Sequence, residues 1–261
     1  MDFIIITLTA LAAAALTLCS GFGLGTLLMP VFAVFFPLPV AVAATGGVHL
    51  ANNLFKLALV GKATDWRVAW RFGLPAALAA LAGAALLHAA VVVPVLVEYR
   101  LGERICQITV LKLAMAAVII SFAIYELHPR WSMVAFDAKW LPWGGVLAGF
   151  FGGLSGHQGA LRTAFLLRAG LSKEAFIATG VVGAVIVDTV RLGVYGAGFY
   201  GGLFVLLDEH AWILVGAASG AAFLGSFLGA KLVVKVTLRK VQVTVTVLLG
   251  LLAAAMAAGL V

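Results

Sequence analysis

Two polar, glycine-rich breaks within apolar sequence constrain the fold more than any other feature. The first covers residues 20–26 (Ser-Gly-Phe-Gly-Leu-Gly-Thr) and the second covers residues 152–162 (Gly-Gly-Leu-Ser-Gly-His-Gln-Gly-Ala-Leu-Arg). Each follows one hydrophobic segment and precedes another. In lipid, unpaired backbone groups are tolerated only where protein or a water-filled cavity satisfies them. Two such breaks at corresponding positions of two halves indicate the substrate site of a transporter.

The composition is that of a polytopic helical membrane protein. Of the 261 residues, 64% are hydrophobic and only 10% are charged, whereas about a quarter of the residues of a soluble domain are charged. The net charge of +7 comes mostly from loops and helix ends, which indicates membrane topology rather than a nucleic-acid partner. Cys19 and Cys106 have no metal or redox spacing, so we expect neither a metal nor a cofactor.

Apolar segments follow one another along the whole chain. They cover residues 3–19, 24–36, 40–60, 68–88, 105–125, 141–152, 158–167, 175–196, 211–231 and 241–260. A helix needs about 20 residues to cross the bilayer, and apolar segments of about 10–14 residues are typical of half-length or re-entrant helices. We therefore predict two broken hairpins, over residues 3–36 and 141–167, beside six full-length helices.

Basic residues predict the orientation of these segments. Lys and Arg cluster at residues 62–71 and 231–240, whereas the loop at residues 208–210 contains neither. Because cytoplasmic loops carry the excess of Lys and Arg, the first two loops are predicted to be cytoplasmic and the third external. The number of membrane crossings agrees with these loop positions only if each broken hairpin begins and ends on the same side of the membrane. Both chain termini are then predicted to face outside.

The two halves of the chain contain related motifs. Ala-Thr-Gly occurs at residues 44–46 and again at 178–180, each time after a glycine-rich break and early in a long helix. Asn53 and Asp188 follow these motifs, although the second interval is one residue longer, which rotates the side chain by about 100°. We predict an all-α polytopic fold of two inverted repeats, at residues 1–130 and 131–261. Each is a broken hairpin followed by three transmembrane helices, the arrangement that permits alternating access.

The order of glycine-rich break, short helix and Ala-Thr-Gly helix resembles the TauE/SafE family of sulfite and organosulfonate exporters. The resemblance covers essentially the whole chain and rests on residues 21–26 and 152–159 and on the helices near Thr45 and Thr179. It implies a multi-pass protein of the bacterial inner membrane. It also implies efflux of sulfite, sulfoacetate or a related anion. The oligomeric state stays open, with a homodimer as one option.

The two breaks are candidate anion-binding sites. A half-helix that begins at a glycine-rich turn presents free N–H groups and the positive end of its dipole to an anion. The candidate substrate-binding residues are Gly21, Gly23, Gly25, Thr26, Asn52, Asn53, Gly153, Ser155, Gly156, His157, Gln158, Gly159 and Arg162. The alternative is that the glycines only permit close helix packing. We expect that packing role for the pairs Gly145/Gly149, Gly216/Gly220 and Gly225/Gly229.

Charged residues within the apolar segments have two interpretations each. Arg162 could bind a sulfonate bidentately, or it could pair with Asp188. Asp188 and Arg191 are three residues apart on one helix, so they could form a gate, a proton-coupling element or a structural ion pair. His157 could couple protons or only complete a polar loop, and His49 is expected to be structural.

Two other functional classes remain as alternatives. The same anion cradle could serve a passive channel. Residues 153–156, Gly-Leu-Ser-Gly, match the serine motif of rhomboid-type intramembrane peptidases, but such an enzyme needs a histidine base from another helix. We therefore expect a transporter rather than an enzyme. Because the cytoplasm is electrically negative, an anion can leave the cell without a coupling ion, and electrogenic export is the predicted mechanism.

Overall fold

The computed structural model describes residues 2–20, 24–91, 94–132, 134–199, 209–231 and 238–261. The chain is mostly helical. The helices are α1 (Asp2–Ser20), α2 (Leu24–Phe35), α3 (Leu38–Val60), α4 (Trp66–Val91), α5 (Val110–Leu127), α6 (Pro129–Ser132), α7 (Leu141–Ser155), α8 (Gly159–Leu166), α9 (Lys173–Phe199), α10 (Glu209–Lys231) and α11 (Leu238–Ala257). Two short 3-10 helices cover Gly61–Ala63 and Ala138–Trp140, and two strands, β1 (Val95–Leu101) and β2 (Arg104–Thr109), form an antiparallel pair.

The helices agree with a polytopic membrane protein. In the part of the chain that the structure describes, three of them are long and apolar enough to cross a membrane, namely Trp66–Ala90, Lys173–Ala197 and Glu209–Gly229. Shorter apolar helices include Leu24–Phe35 and Val110–Tyr125. Although α3 is 23 residues long, it carries His49, Asn52 and Asn53, which are all buried inside the protein.

The hairpin between α4 and α5 was not predicted, and it corrects the all-α prediction. Residues 105–109 belong to β2 rather than to the apolar helix expected over 105–125. The turn contains Gly102 with a φ of +64°, the left-handed conformation that tight hairpin turns require. Helix α5 then begins at Val110, because the Thr109 side chain accepts a hydrogen bond from the backbone N–H of Lys112 at 3.2 Å and caps the helix.

The second break has the predicted form. Helix α7 ends at Ser155, and Gly156 follows with a φ of +82° while its N–H donates to the carbonyl of Gly152 at 3.0 Å. Glycine favours this left-handed helix cap because it has no Cβ. Helix α8 starts at Gly159 and is only eight residues long. The first break is described from Leu24 onwards, so Gly21 and Gly23 lie outside the described residues.

Glycines bring α7 into backbone contact with α4. Gly145 faces the carbonyl oxygen of Phe72, Gly149 that of Ala76, and Gly153 that of Ala80. A Cβ at any of these glycines would lie 2.1–2.3 Å from the oxygen, so only glycine permits this approach. Because the residue numbers rise together along both helices, α4 and α7 run in the same direction.

Helices α1 and α10 make the equivalent contact elsewhere in the fold. A Cβ at Gly225 would lie 2.2 Å from the carbonyl oxygen of Leu11, and one at Gly229 would lie 2.5 Å from that of Ala15. These two helices therefore also run in the same direction. The packing role predicted for Gly216 and Gly220 is wrong, because no described atom lies within 4 Å of a Cβ at either position.

Two other helix pairs run in opposite directions. On α3 and α9, Gly46 lies beside Arg191, and His49 contacts Asp188, so the residue numbers rise on one helix as they fall on the other. On α5 and α11, Ile120 lies beside Gly250, and the Ala123 carbonyl accepts from Thr246. The directions of α5 and α11 are therefore also opposed.

Candidate functional site

A buried carboxylate lies where α3, α9 and the second break meet. Asp188 on α9 is fully buried. Its Oδ1 accepts hydrogen bonds from Gln158 Nε2 at 3.0 Å and from Arg191 Nε at 3.0 Å, and Arg191 Nη2 lies 2.8 Å away. Its Oδ2 lies 2.5 Å from Nδ1 of His49. One carboxylate therefore joins two long helices to the linker between α7 and α8.

Arg162 joins this network through an intermediate residue. Its Nη1 donates to Oε1 of Gln158 at 3.3 Å, and the other end of the Gln158 amide donates to Asp188. The structure has no direct ion pair between Arg162 and Asp188, which was one of the two predicted roles of this arginine. The Arg162 side chain instead passes over α9, where a Cβ at Gly180 would lie 3.6 Å from its Nε.

The network continues on both long helices. On α3, Asn53 Nδ2 donates to the backbone carbonyl of His49 at 2.9 Å and lies 3.1 Å from the Nδ1 of the ring. On α9, the buried Tyr195 hydroxyl donates to the carbonyl of Gly153 near the end of α7. The Asn53 contacts stay within α3, whereas the Tyr195 bond joins α9 to the end of α7 next to the second break.

The two breaks lie against each other at this network. A Cβ at Gly25, in the first turn of α2, would lie 3.7 Å from the carbonyl oxygen of Gly156 and 3.6 Å from Cγ2 of Thr45. A Cβ at Gly156 would in turn lie 3.0 Å from Nη1 of Arg191. The first turn of α2 also contains the buried Thr26, and α8 begins with the buried Gly159. Glycine at position 156 keeps the space beside Arg191 free of a side chain.

Three buried polar atoms at this junction have no hydrogen-bond partner among the described residues. They are Nη1 of Arg191, Oγ1 of Thr45 and Nε2 of His157. Arg191 is 1% exposed, and its guanidinium contacts Asp188 and interacts with the Tyr195 side chain, but its Nη1 has no partner among the described residues. An unsatisfied buried donor costs about 1–3 kcal/mol, and more when it is charged. Such a donor, directed at the glycine of a helix break, can bind an additional acceptor.

The junction also has an excess of positive charge. Arg162 and Arg191 each contribute one positive charge, and the half-buried Lys56 on α3 interacts electrostatically with Arg162. Asp188 is the carboxylate of this network. Arg162 and Lys56 are only partly buried, and the positive charge in excess of Asp188 could be compensated by a bound anion.

Asn52, another predicted site residue, is directed away from the junction. Its Oδ1 accepts a hydrogen bond from Ser226 Oγ at 2.8 Å, which joins α3 to α10. Gly153 packs against Ala80 of α4, so its contribution at the junction is the carbonyl that Tyr195 binds.

Ser155 and His157 form a local contact within the second break. Ser155 Oγ lies 3.2 Å from His157 Nδ1, and it donates to the carbonyl of Phe151 at 3.0 Å. The His157 ring stacks on Phe122 of α5, with ring centroids 5.5 Å apart. The hydroxyl proton of Ser155 is therefore engaged by its own helix, and His157 packs toward α5. This geometry does not favour a serine nucleophile activated by a histidine base.

Sequence reasoning treated His49 as structural and did not identify Tyr195. Helix periodicity could have indicated both. His49 lies midway between Thr45 and Asn53 at intervals of four residues, and Tyr195 follows Asp188 by seven residues. These intervals place side chains on one helix face, so polar residues at such spacing indicate a common buried surface.

The family model described as sulfite exporter TauE/SafE matches residues 6–256 of the chain. No curated protein and no solved structure matches it.

Proposed function

This chain belongs to the TauE/SafE sulfite exporter family. We propose that it exports a small sulfur-containing anion, such as sulfite or an organosulfonate, because it also holds a buried arginine with a free donor beside the second break. Members of that family are membrane transporters rather than enzymes. The observation that carries the proposal is the Arg191 guanidinium, which is 1% exposed and directs an unpartnered Nη1 at Gly156.

The proposed binding site lies between the first turn of α2 and the second break. Sulfite and sulfonates have three oxygens around sulfur, so they can accept from a guanidinium and from backbone N–H groups at once. Arg191 and Arg162 provide charge, whereas Gly25, Gly156 and Gly159 allow the anion to approach the backbone. Asp188 holds Arg191 in place through two contacts, and this ion pair is the candidate gating element.

We further propose that residues 1–130 and 131–261 are inverted repeats. The packing supports a correspondence in which α1, α3, α4 and α5 of the first repeat are equivalent to α7, α9, α10 and α11 of the second. In this correspondence, the parallel contact between α1 and α10 is equivalent to the parallel contact between α7 and α4. Likewise, α3 and α9 run in opposite directions, as do α5 and α11. Opposed equivalent helices are the basis of alternating access around a central site.

Cysteine labelling tests this orientation in a bacterial inner membrane, the proposed location. The orientation places Ala63, after α3, in the cytoplasm and Glu209, at the start of α10, outside. Asp2 lies 2.8 Å from His210, which puts the first residues of α1 on the same side as Glu209. Single cysteines at Ala63 and Glu209 should react with an impermeant reagent from opposite sides. Labelling of both from one side would refute the topology.

Export is proposed to be electrogenic. Moving one charge through the membrane potential is worth about 2.3 kcal/mol per 100 mV, so a negative cell interior drives an anion outward. In proteoliposomes loaded with sulfite, a potential that is negative on the loaded side should accelerate efflux at equal pH. A pH gradient alone should have little effect. Efflux that ignores the potential and follows the proton gradient would contradict the proposal.

Flux measurements separate a carrier from the alternative, a channel. A carrier that alternates between two states exchanges internal for external anion, so labelled sulfite should show counterflow and saturation. Linear flux without counterflow would favour a passive channel. The same measurement with sulfoacetate, sulfate and simple carboxylates would identify the preferred anion.

A further inference from the structure

The imidazole of His49 is in direct contact with the carboxylate that positions Arg191. Nδ1 of His49 lies 2.5 Å from Oδ2 of Asp188, and both residues are buried. Asp188 also binds Gln158 and Arg191 through Oδ1, which is the environment of an ionised carboxylate because ionised carboxylates act only as acceptors. Nδ1 of His49 then carries the shared proton. A second proton on Nε2 would convert the neutral ring into an imidazolium.

That second proton changes the charge of the junction by one. With a neutral His49, the charges of Arg162, Arg191 and Asp188 sum to one positive charge. A protonated His49 adds its own charge, and the junction then carries two. Lys56, which is half-buried farther along α3, adds equally to both states. The two states therefore match anions of different charge.

We propose that His49 determines which charge of oxyanion the site accepts, with protonated His49 favouring divalent anions and neutral His49 favouring monovalent sulfonates. This inference rests on the proposed anion site. It makes His49 a specificity-determining residue that acts through the charge of the site, because the ring contacts Asp188 rather than the region beside Gly156.

Charged groups on two neighbouring helices act on the His49 ring. From α9 it faces Asp188 and Arg191, and from α8 the charge of Arg162 acts on it. The described part of α2 contains no titratable side chain. Helix α10 meets this part of α3 through Ser226 and Asn52, and its ionisable residues lie at its two ends.

Asn53 lies against the face of the His49 ring. Its Nδ2 is 3.1 Å from Nδ1 and 3.4 Å from Nε2, while it donates to the backbone carbonyl of His49 at 2.9 Å. The Asn53 amide therefore keeps a polar group beside the buried ring.

Calorimetric titration of the purified full-length protein with sulfate and methanesulfonate tests the inference. These anions keep charges of two and one between about pH 6 and 8, the range in which histidine titrates. Lowering the pH should strengthen sulfate binding by up to about tenfold per pH unit, whereas methanesulfonate binding should change far less. In His49→Gln this difference should disappear. In the matched control His88→Gln, on α4, it should persist.

Proton uptake by the wild-type protein provides a test that needs no variant. Titration in buffers of different ionisation enthalpy should detect uptake of about one proton with sulfate at the upper end of this pH range, and much less with methanesulfonate. Binding of both anions without proton uptake would overturn the role of His49 and leave the anion site standing. So would a pH effect that is lost in His157→Gln but kept in His49→Gln. Binding of neither anion to folded protein would overturn both the inference and the proposed site.

Discussion

Substitutions at Gly25 test whether the two breaks enclose an anion. An added Cβ would lie 3.6 Å from Thr45 and 3.7 Å from the Gly156 carbonyl, which is ordinary contact, so Gly25→Ala should fold and narrow the space slightly. Leucine adds further carbons that must extend toward the same atoms. Forcing extra methylene groups into a packed site costs about 1–3 kcal/mol, which corresponds to a loss of about 5- to 150-fold in affinity if the anion must displace them.

Calorimetry with sulfite, together with thermal unfolding in detergent, measures the two consequences separately. We expect the affinity to decrease from wild type to Gly25→Ala and further to Gly25→Leu, and Gly159→Leu should weaken binding in the same way. Gly216→Leu is the matched control, because a Cβ there meets no described atom within 4 Å, and it should bind like wild type. Wild-type affinity in both Gly25→Leu and Gly159→Leu would refute the enclosure of an anion by the two breaks.

Two further predictions concern charge and packing. Arg162→Gln should weaken sulfite binding by about tenfold or more, since it removes a charged hydrogen-bonding group, and Lys56→Gln should have a smaller effect; the reverse order in calorimetry would contradict the proposed site. Gly149→Ala should lower the melting temperature in detergent, because its Cβ would lie 2.1 Å from a carbonyl oxygen of α4 and overpacking costs about 1–3 kcal/mol. Gly220→Ala, with open space around it, should not, and equal melting temperatures for the two variants would contradict the close contact.

The helices could be predicted largely from sequence because lipid imposes simple rules on them. Polar and glycine-rich sequence within an apolar segment indicates a helix end, and the second break lies at residues 156–158, inside the range 152–162 that the sequence indicates but shorter, because α7 continues to Ser155. Long apolar segments such as 175–196 correspond to single helices, here α9 (Lys173–Phe199). The β-hairpin escaped prediction because residues 105–109 of β2 run directly into the apolar sequence of α5, so hydrophobicity alone did not separate strand from helix.

The candidate site could be predicted only in part. The sequence indicated Gln158, Arg162, Asp188 and Arg191 one by one, because polar residues in apolar segments are conspicuous. It did not indicate that Gln158 would lie between Arg162 and Asp188, or that His49 would reach Asp188. Those contacts depend on how α3 crosses α9, and a crossing between residues 139 positions apart leaves no local pattern in the sequence.

The packing of helices from one half against helices from the other has a consequence for the biogenesis of the protein. Helix α1 packs against α10, and α4 packs against α7, so the first half of the chain completes its contacts only with helices synthesised later. Until α9 and α10 enter the membrane, His49 on α3 lacks Asp188 and Asn52 lacks Ser226. Polar side chains in contact with lipid are unfavourable.

A chain truncated after α5 should therefore remain an assembly intermediate, because the polar face of α3 stays without its partners from the second half. The two halves can insert into the membrane one after the other, but the native helix packing forms only when both are present.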